Sequence, residues 1–261
     1  MSGALLDVKN LTMQFGGLKA VDNLSFQIQK NSLMGLIGPN GAGKTTVFNS
    51  LTGVYRPTAG EVFLNGQCLI GKRPFEIARM GITRTFQNIR LFKNLSVFDN
   101  IVIGATQHIK YNLFDEVFVS RKLKREQEKI KDQILDLLRI FKMDQKADVE
   151  AGALPYGEQR KLEIVRGLAT RPELLFLDEP AAGMNHSETH QLMNLISQIR
   201  EDFKVTLLLI EHDMKLVMGI CERILVLDHG VKIEEGDPEK IQNSPSVIEA
   251  YLGVSDLEIP L

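Results

Sequence analysis

The sequence has few cysteines and no excess of charge of either sign. Its two cysteines, Cys68 and Cys221, lie far apart and form no CxxC pair, which argues against a disulfide framework or a cysteine zinc site. With 31 Lys and Arg against 33 Asp and Glu, the formal net charge is −2, so no overall charge attracts nucleic acid or anionic lipid. The longest apolar runs, at 174–177 and 206–210, are too short to cross a bilayer. These absences favour a soluble protein of a reducing compartment.

Short apolar runs alternate with longer amphipathic stretches, a pattern that predicts an α/β fold. The runs at 174–179 and 206–211 are apolar almost throughout, as expected of strands covered on both faces. Both end in charged residues, and ligands of open α/β sheets bind at the carboxyl ends of the strands. In the middle of the chain, Leu123, Ile130, Ile134, Leu137, Leu138 and Phe141 recur at helical spacing and predict an amphipathic helix. The predicted strands are 5–9, 24–28, 33–38, 61–66, 174–179, 206–211 and 223–228.

A phosphate-binding loop follows the third predicted strand. Its residues fit the pattern GxxxxGK[ST]. Glycines let main-chain N–H groups surround phosphates, and the helix that follows adds its positive N-terminal end. Lys44 would neutralise charge on the β- and γ-phosphates, and the Thr45 hydroxyl would bind Mg²⁺. The pattern is formed by Gly38, Pro39, Asn40, Gly41, Ala42, Gly43, Lys44 and Thr45.

The second half of the chain indicates which class of P-loop protein this is. Asp178 and Glu179 close one buried strand, where Asp178 would hold Mg²⁺ and Glu179 would polarise the attacking water. His212 follows Glu211 at the end of the next buried strand and would contact the γ-phosphate. A GTPase is excluded, because the stretch 145–148 (QKAD) only approaches the base-reading pattern [NT]KxD and lies in a polar segment.

In this setting the chain resembles the ATP-binding subunits of ABC transporters. The stretch from 154 to 160 stands where that family has its LSGGQ-type signature, about twenty residues before the paired acids. Gln87 matches the Q-loop, Phe15 the aromatic residue that stacks on adenine, and 181–185 the D-loop. The resemblance implies ATP contacts by Phe15, Val21 and Gly38 to Thr46, catalytic roles for Glu179, His212 and Gln87, and Mg²⁺ ligands Thr45, Gln87 and Asp178. It also implies signature contacts to the partner subunit's ATP by Leu154, Pro155, Tyr156, Gly157 and Glu158, and D-loop roles for Gly183 and Asn185.

Two departures from the general family pattern point to one subfamily. The signature positions that are usually Ser and Gly are Pro155 and Tyr156, and the usual D-loop aspartate is Asn185. Both are similar to the ATPases of branched-chain amino-acid importers, whose signature is commonly LxYGxQR. The ending GDPEKIQNSPSVIEAYLG, at 236–253, agrees with that subfamily.

The resemblance carries expectations about fold and assembly. It implies one ATP-binding domain over 5–253, with a RecA-like P-loop NTPase core at about 1–87 and 170–235. An N-terminal antiparallel β subdomain, a helical subdomain at about 88–169 and a C-terminal extension at about 236–261 complete it. The implied partners are a second ATP-binding subunit, head-to-tail and identical or different, two transmembrane permease subunits and, indirectly, a periplasmic or extracellular substrate-binding protein, with no nucleic acid. The implied location is the cytoplasmic face of a bacterial or archaeal plasma membrane.

Other functions remain open at this point. Amide and urea importers share much of the pattern, whereas the signature and the C-terminus argue against a lipid or lipopolysaccharide exporter. Non-transport ABC proteins carry two cassettes or a long coiled-coil insertion, and this chain has one P-loop and neither device. A nucleotide sensor without turnover is disfavoured by the intact Glu179.

Overall fold

A computed structural model of the chain describes residues 3–106 and 121–252, with the side chains of 121–127 excepted. The described residues divide into two compact units, one of residues 3–84 and 173–252 and the other of residues 85–106 and 121–172. The side chain of Leu123, which belongs to the predicted apolar stripe, lies outside the described residues, as do residues 253–261 of the predicted C-terminal extension.

The first unit contains two sheets. One is antiparallel, in the order β2-β1-β4-β5, and the other has the order β10-β9-β3-β8-β7-β6. In the described residues the strands are β1 (Leu6–Phe15), β2 (Leu18–Ile28), β3 (Leu33–Ile37), β4 (Ala59–Leu64), β5 (Gln67–Cys68), β6 (Ile82–Arg84), β7 (Leu174–Asp178), β8 (Thr206–Ile210), β9 (Arg223–Asp228) and β10 (Val231–Gly236).

The larger sheet is parallel from β9 to β6, and only β10 joins it antiparallel. Every residue of β3, β7 and β8 is buried, which explains why these strands are apolar apart from Thr206 and Asp178 at their ends. Because β3, β8 and β7 are adjacent and parallel, their carboxyl ends meet at one edge of the sheet. The P-loop, the Asp178–Glu179 pair and the Glu211–His212 pair all follow these ends.

The helices of the described chain are α1 (Lys44–Leu51), α2 (Pro74–Arg79), α3 (Val97–Ala105), α4 (Arg121–Ile140), α5 (Tyr156–Ala169), α6 (His186–Phe203), α7 (Met214–Ile220), α8 (Pro238–Gln242) and α9 (Pro245–Leu252). Within residues 3–106 and 121–252, none of them combines the length and the apolar character needed to cross a membrane.

The second unit is built around α3, α4 and α5. The predicted amphipathic helix is confirmed as α4, with Ile134 and Leu138 buried. Asn100 of α3 is fully buried and fixes the preceding loop, because its amide donates to the carbonyls of Phe92 at 3.0 Å and Ser96 at 2.9 Å. The loop lacks the main-chain hydrogen bonds of a helix or strand, and these side-chain hydrogen bonds hold it in one conformation instead.

The strands β1 (Leu6–Phe15) and β2 (Leu18–Ile28) are longer than the predicted 5–9 and 24–28, and the strand predicted at 206–211 ends at Ile210. Two other strand ends differ from the sequence prediction where the main chain turns left-handed. The strand predicted at 61–66 ends at Leu64, because Asn65 (φ +47°) and Gly66 (φ +77°) form a turn. The strand predicted at 174–179 ends at Asp178, because Glu179 has φ +44°. The strands β5 and β6 are too short for an alternating pattern to predict them.

Candidate nucleotide-binding site

The P-loop between β3 and α1 depends on glycines for two different reasons. Gly38, Gly41 and Gly43 all have positive φ, at +150°, +81° and +100°. A Cβ on Gly38 would lie 2.0 Å from the Leu227 carbonyl oxygen, and one on Gly43 would lie 2.4 Å from that of Ala20. Gly41 instead faces open space, with nothing within 4 Å of such a Cβ. The loop is therefore packed against its own unit at both ends and open in the middle.

Lys44 is held inside this loop. Its side chain is buried, and its Nζ donates to the carbonyls of Gly38 at 2.7 Å and Pro39 at 2.9 Å. Burial lowers the pKa of the ammonium, and the negative charge of Glu179 opposes that shift. The cation is thus preorganised at the loop, where it would meet a phosphate.

Asp178 lies at the end of β7 and is bound by an arginine that the sequence analysis did not single out. Arg84, the last residue of β6, donates from Nη2 to Asp178 Oδ2 at 2.5 Å and from Nη1 to Asn49 Oδ1 at 2.7 Å. Only 12% of the Arg84 side chain and 8% of the Asp178 side chain are exposed. The arginine fixes the carboxylate in position through a nearly buried ion pair.

Glu179 leaves the strand in a left-handed conformation. Its N–H still donates to the Ile210 carbonyl at 2.9 Å, which anchors it beside the end of β8. The turn ends the strand alternation, so Glu179 is not confined to the face opposite Asp178. The His212 Nδ1 lies 3.9 Å from Glu179 Oε2, and the His212 side chain is 64% exposed. The structure therefore brings together two of the predicted catalytic residues.

Glu211 connects the loops that follow β7 and β8. Its side chain is fully buried, and Oε1 accepts the N–H of Ala181 at 2.7 Å while Oε2 accepts that of His212 at 3.2 Å. Burial raises the pKa of this carboxyl, and the main-chain donors, which include Asp213, partly oppose the shift. Glu211 thus ties the loop carrying Glu179 to the loop carrying His212.

The residues predicted to contact adenine and those predicted to form the D-loop lie in different surroundings within the first unit. Phe15 ends β1, is 44% exposed and contacts the edge of Tyr55, with 5.3 Å between ring centres. Val21 is fully buried in the core, so Phe15 is the better candidate for an adenine contact.

In the D-loop, Asn185 caps α6, because its Oδ1 accepts the Glu188 N–H and Glu188 Oε2 accepts the Asn185 N–H. Gly183 supplies the positive φ, +78°, that the preceding turn requires.

Gln87 and the signature segment belong to the second unit. Helix α5 begins at Tyr156, with Pro155 as its N-cap, and no side chain caps it. The N–H groups of Glu158 and Gln159 both donate to the Pro155 carbonyl at 3.0 Å and are therefore engaged within the first turn of the helix. Leu154 is buried, and Glu158 pairs with Lys146.

Comparison with known proteins identifies the family. A sequence model described as ABC transporter matches residues 21–182, which is more than half of the chain. The chain belongs to the ABC transporter family. A second model, described as branched-chain amino acid ATP-binding cassette transporter, matches residues 231–256 of this ABC protein.

Individual relatives agree with the family models. The high-affinity branched-chain amino acid transport ATP-binding protein LivG of Escherichia coli (strain K12) is 47% identical over 253 residues, 97% of this chain and 99% of LivG. BraF of Pseudomonas aeruginosa, with the same description, is 45% identical over 97% of this chain and 99% of its own.

Solved structures agree as well. An ATP-binding cassette of an ABC transporter in its ADP conformation has a TM-score of 0.83 and 29% identity, covering 96% of this chain and 99% of its own. A nucleotide-free cassette has a TM-score of 0.81 and 30% identity, covering 95% and 99%. The predicted family and α/β P-loop fold are confirmed, and the ABC family hydrolyses ATP to power transport.

Three charged side chains near the predicted residues have structural roles that the sequence does not reveal. Arg84, Glu211 and Arg160 are charged but largely or fully buried, whereas a charged residue in a sequence is usually interpreted as surface. Gly230 has a structural role as well: its N–H donates to the Ala42 carbonyl at 3.0 Å and thereby supports the P-loop. Gly230 lies in the turn between the antiparallel strands β9 and β10.

Proposed function

We propose that this chain is the ATP-hydrolysing subunit of an importer for branched-chain amino acids. The observation that carries the proposal is the meeting of Lys44, Asp178, Glu179 and His212 at the carboxyl edge of one sheet. The substrate class rests on the LivG and BraF relatives and on the C-terminal match at 231–256.

The P-loop would bind the phosphates of ATP and Phe15 the adenine. Lys44, already held by two carbonyls, would exchange those partners for phosphate oxygens. Thr45 and Asp178 offer hydroxyl and carboxylate oxygens, the donor chemistry that Mg²⁺ prefers, and Gln87 is a further proposed ligand. Mg²⁺, when bound, supplies positive charge beside the β- and γ-phosphates.

Hydrolysis would proceed by attack of water on the γ-phosphorus. Glu179 would orient that water and accept its proton as the bond from the γ-phosphorus to ADP breaks. His212, 3.9 Å from Glu179, would contact the γ-phosphate side of the same pocket. Glu211 and the Ile210 carbonyl hold the main chain of this pair, so little reorganisation is needed during the reaction.

A complete site would need a second ATP-binding subunit. The signature residues Leu154 to Glu158 would face the ATP of that partner, with the D-loop residues Gly183 and Asn185 beside it. ATP would close the head-to-tail dimer, and hydrolysis would reopen it and move two permease subunits at the cytoplasmic face of the membrane. A substrate-binding protein outside the membrane would deliver the amino acid.

The test replaces Glu179 by Gln, which keeps shape and removes the base. ATP binding should persist, while phosphate release slows by about a hundredfold or more, the scale of a lost general base. Wild-type turnover in Glu179→Gln would contradict the assignment. Transport assays of the complex with leucine, isoleucine, valine, an amide and urea would then test the substrate class.

A further inference from the structure

Arg160 lies in α5, at the end of the 154–160 stretch that resembles the signature, and has no contact with solvent. Its side chain is 0% exposed, which is rare for arginine unless the guanidinium is paired. Nη1 pairs with Glu163 Oε2 at 2.8 Å, and Glu163 is 1% exposed. Residues three apart on a helix lie on the same face, so the pair is built by α5 alone.

The two terminal nitrogens of Arg160 also bind the loop that contains Gln87. Nη1 also donates to the Phe86 carbonyl at 2.6 Å, and Nη2 donates to the Gln87 carbonyl at 2.5 Å. Residues 85–90 form neither helix nor strand, so ladder bonds do not satisfy these carbonyls. One planar guanidinium thus binds two successive peptide carbonyls and a carboxylate, a geometry that the fork of arginine permits and lysine does not.

Glu163 fastens the other end of the same loop. Its Oε1 accepts the Arg90 N–H at 3.0 Å. The Arg90 guanidinium in turn lies 4.0 Å from the centre of the Phe86 ring. The segment 86–90 is therefore attached at both ends to one buried ion pair on α5.

We propose that Arg160 is a positioning residue that holds the main chain at Phe86 and Gln87 on α5 and thereby sets where the Gln87 side chain is presented. This inference rests on the proposed function of Gln87 in ATP hydrolysis. Because α5 begins with signature residues Tyr156 and Gly157, the Q-loop and the signature would keep a fixed relation within the second unit. Arg160 itself would contact neither nucleotide nor metal.

The test is a double-mutant cycle on the full chain, alone and in the complex that copurifies when it is expressed with the genes beside its own. Arg160→Lys keeps the charge beside Glu163 but loses the simultaneous hydrogen bonds to the Phe86 and Gln87 carbonyls. ATP affinity should stay within about twofold, while turnover falls about tenfold or more, since small displacements of a positioning group cost that much. Arg166→Lys, the same change further along α5, is the matched control and should leave turnover nearly unchanged.

The cycle separates positioning from mere stability. If Arg160 acts through Gln87, Arg160→Lys should reduce turnover by less than about twofold in a Gln87→Ala background. Equal losses in both backgrounds, or wild-type turnover in Arg160→Lys, would overturn the proposal. If Gln87→Ala alone retained full turnover, the proposed function of Gln87 would fail instead.

Hydrogen exchange tests directly whether Arg160 holds the main chain at residues 86–90, and this test does not depend on the function of Gln87. Amides at 86–90 should exchange about tenfold or more faster in Arg160→Lys, with those of residues 3–84 unchanged. Unchanged exchange at 86–90 would refute the proposal that Arg160 holds this segment. Should Arg160→Lys fail to fold, the neutral pair Arg160→Gln with Glu163→Gln allows the same measurements, because it leaves no unpaired buried charge.

Discussion

Replacing Glu211 by alanine tests whether one buried carboxylate ties together the loops that carry Glu179 and His212. The wild-type side chain is fully buried and accepts the N–H groups of Ala181 at 2.7 Å and His212 at 3.2 Å. Glu211→Ala leaves both donors without their acceptor, and each buried unsatisfied donor costs about 1–3 kcal/mol. Water entering the vacated space would satisfy part of this, so we expect a loss of about 3 kcal/mol.

The loss converts into a measurable thermal shift. For a chain of this size, 1 kcal/mol corresponds to about 2–4 °C, so the unfolding midpoint should fall by about 6–12 °C. The matched variant is Glu211→Gln, whose carbonyl oxygen retains the shorter bond to Ala181 and whose NH₂ faces the His212 N–H. Its midpoint should fall by less than half as much. A Glu211→Ala midpoint within about 1 °C of wild type would refute the reasoning.

The same pair of proteins gives a pH test. Burial raises the pKa of Glu211, so the folded chain binds its proton more tightly than the unfolded chain does. The contribution of Glu211 to the free energy of unfolding is therefore largest below its unfolded pKa and falls as the pH rises through the folded pKa. Glu211→Gln removes this fall, and thermal unfolding from acid to neutral pH would show a flatter curve. A slope equal to that of wild type would contradict the assignment to Glu211.

Five further substitutions test the site. Lys44→Ala should weaken ATP binding measured by calorimetry, because phosphate charge would lose its partner; an unchanged Kd would count against the P-loop assignment. Gly43→Ala should cost about 2 kcal/mol or more in chemical unfolding, since its Cβ meets the Ala20 carbonyl, whereas Gly41→Ala, in open space, should cost only about 1 kcal/mol of left-handed strain. Gly157→Asp should leave ATP binding by the chain intact but abolish turnover, while Pro155→Ser should be tolerated; full ATPase activity in Gly157→Asp would exclude a composite site.

Patterns confined to a few consecutive residues could be predicted from the sequence. The P-loop needs its glycines at fixed spacing, and the structure shows why for Gly38 and Gly43, where any Cβ would collide with main chain. The strands β7 and β8 were predicted to within one residue, because burial on both faces excludes polar residues from their interiors. The acids at their ends follow from the same pattern.

Contacts between distant residues could not be predicted in this way. Arg84 meets Asp178 across 94 positions of the chain, and Arg160 meets Phe86 across 74. An isolated arginine gives no signal of whether its guanidinium will be solvated or buried, because that depends on which carbonyls and carboxylates the fold brings within reach. Asn185 and Glu188, by contrast, form a local N-x-x-E capping box that the sequence does contain.

The three buried charged side chains, Arg84, Arg160 and Glu211, have the same structural role. Arg84, Arg160 and Glu211 each bind groups where a strand or helix gives way to a loop, so each supplies hydrogen bonds that regular structure no longer provides. An apolar residue of similar volume would fill the same space but leave those loop groups unsatisfied. Loops that must hold Asp178, Glu179, Gln87 and His212 in place therefore require buried ionic partners, although such partners add little to net stability. It follows that conservative exchanges at these three positions should affect turnover more than they affect folding.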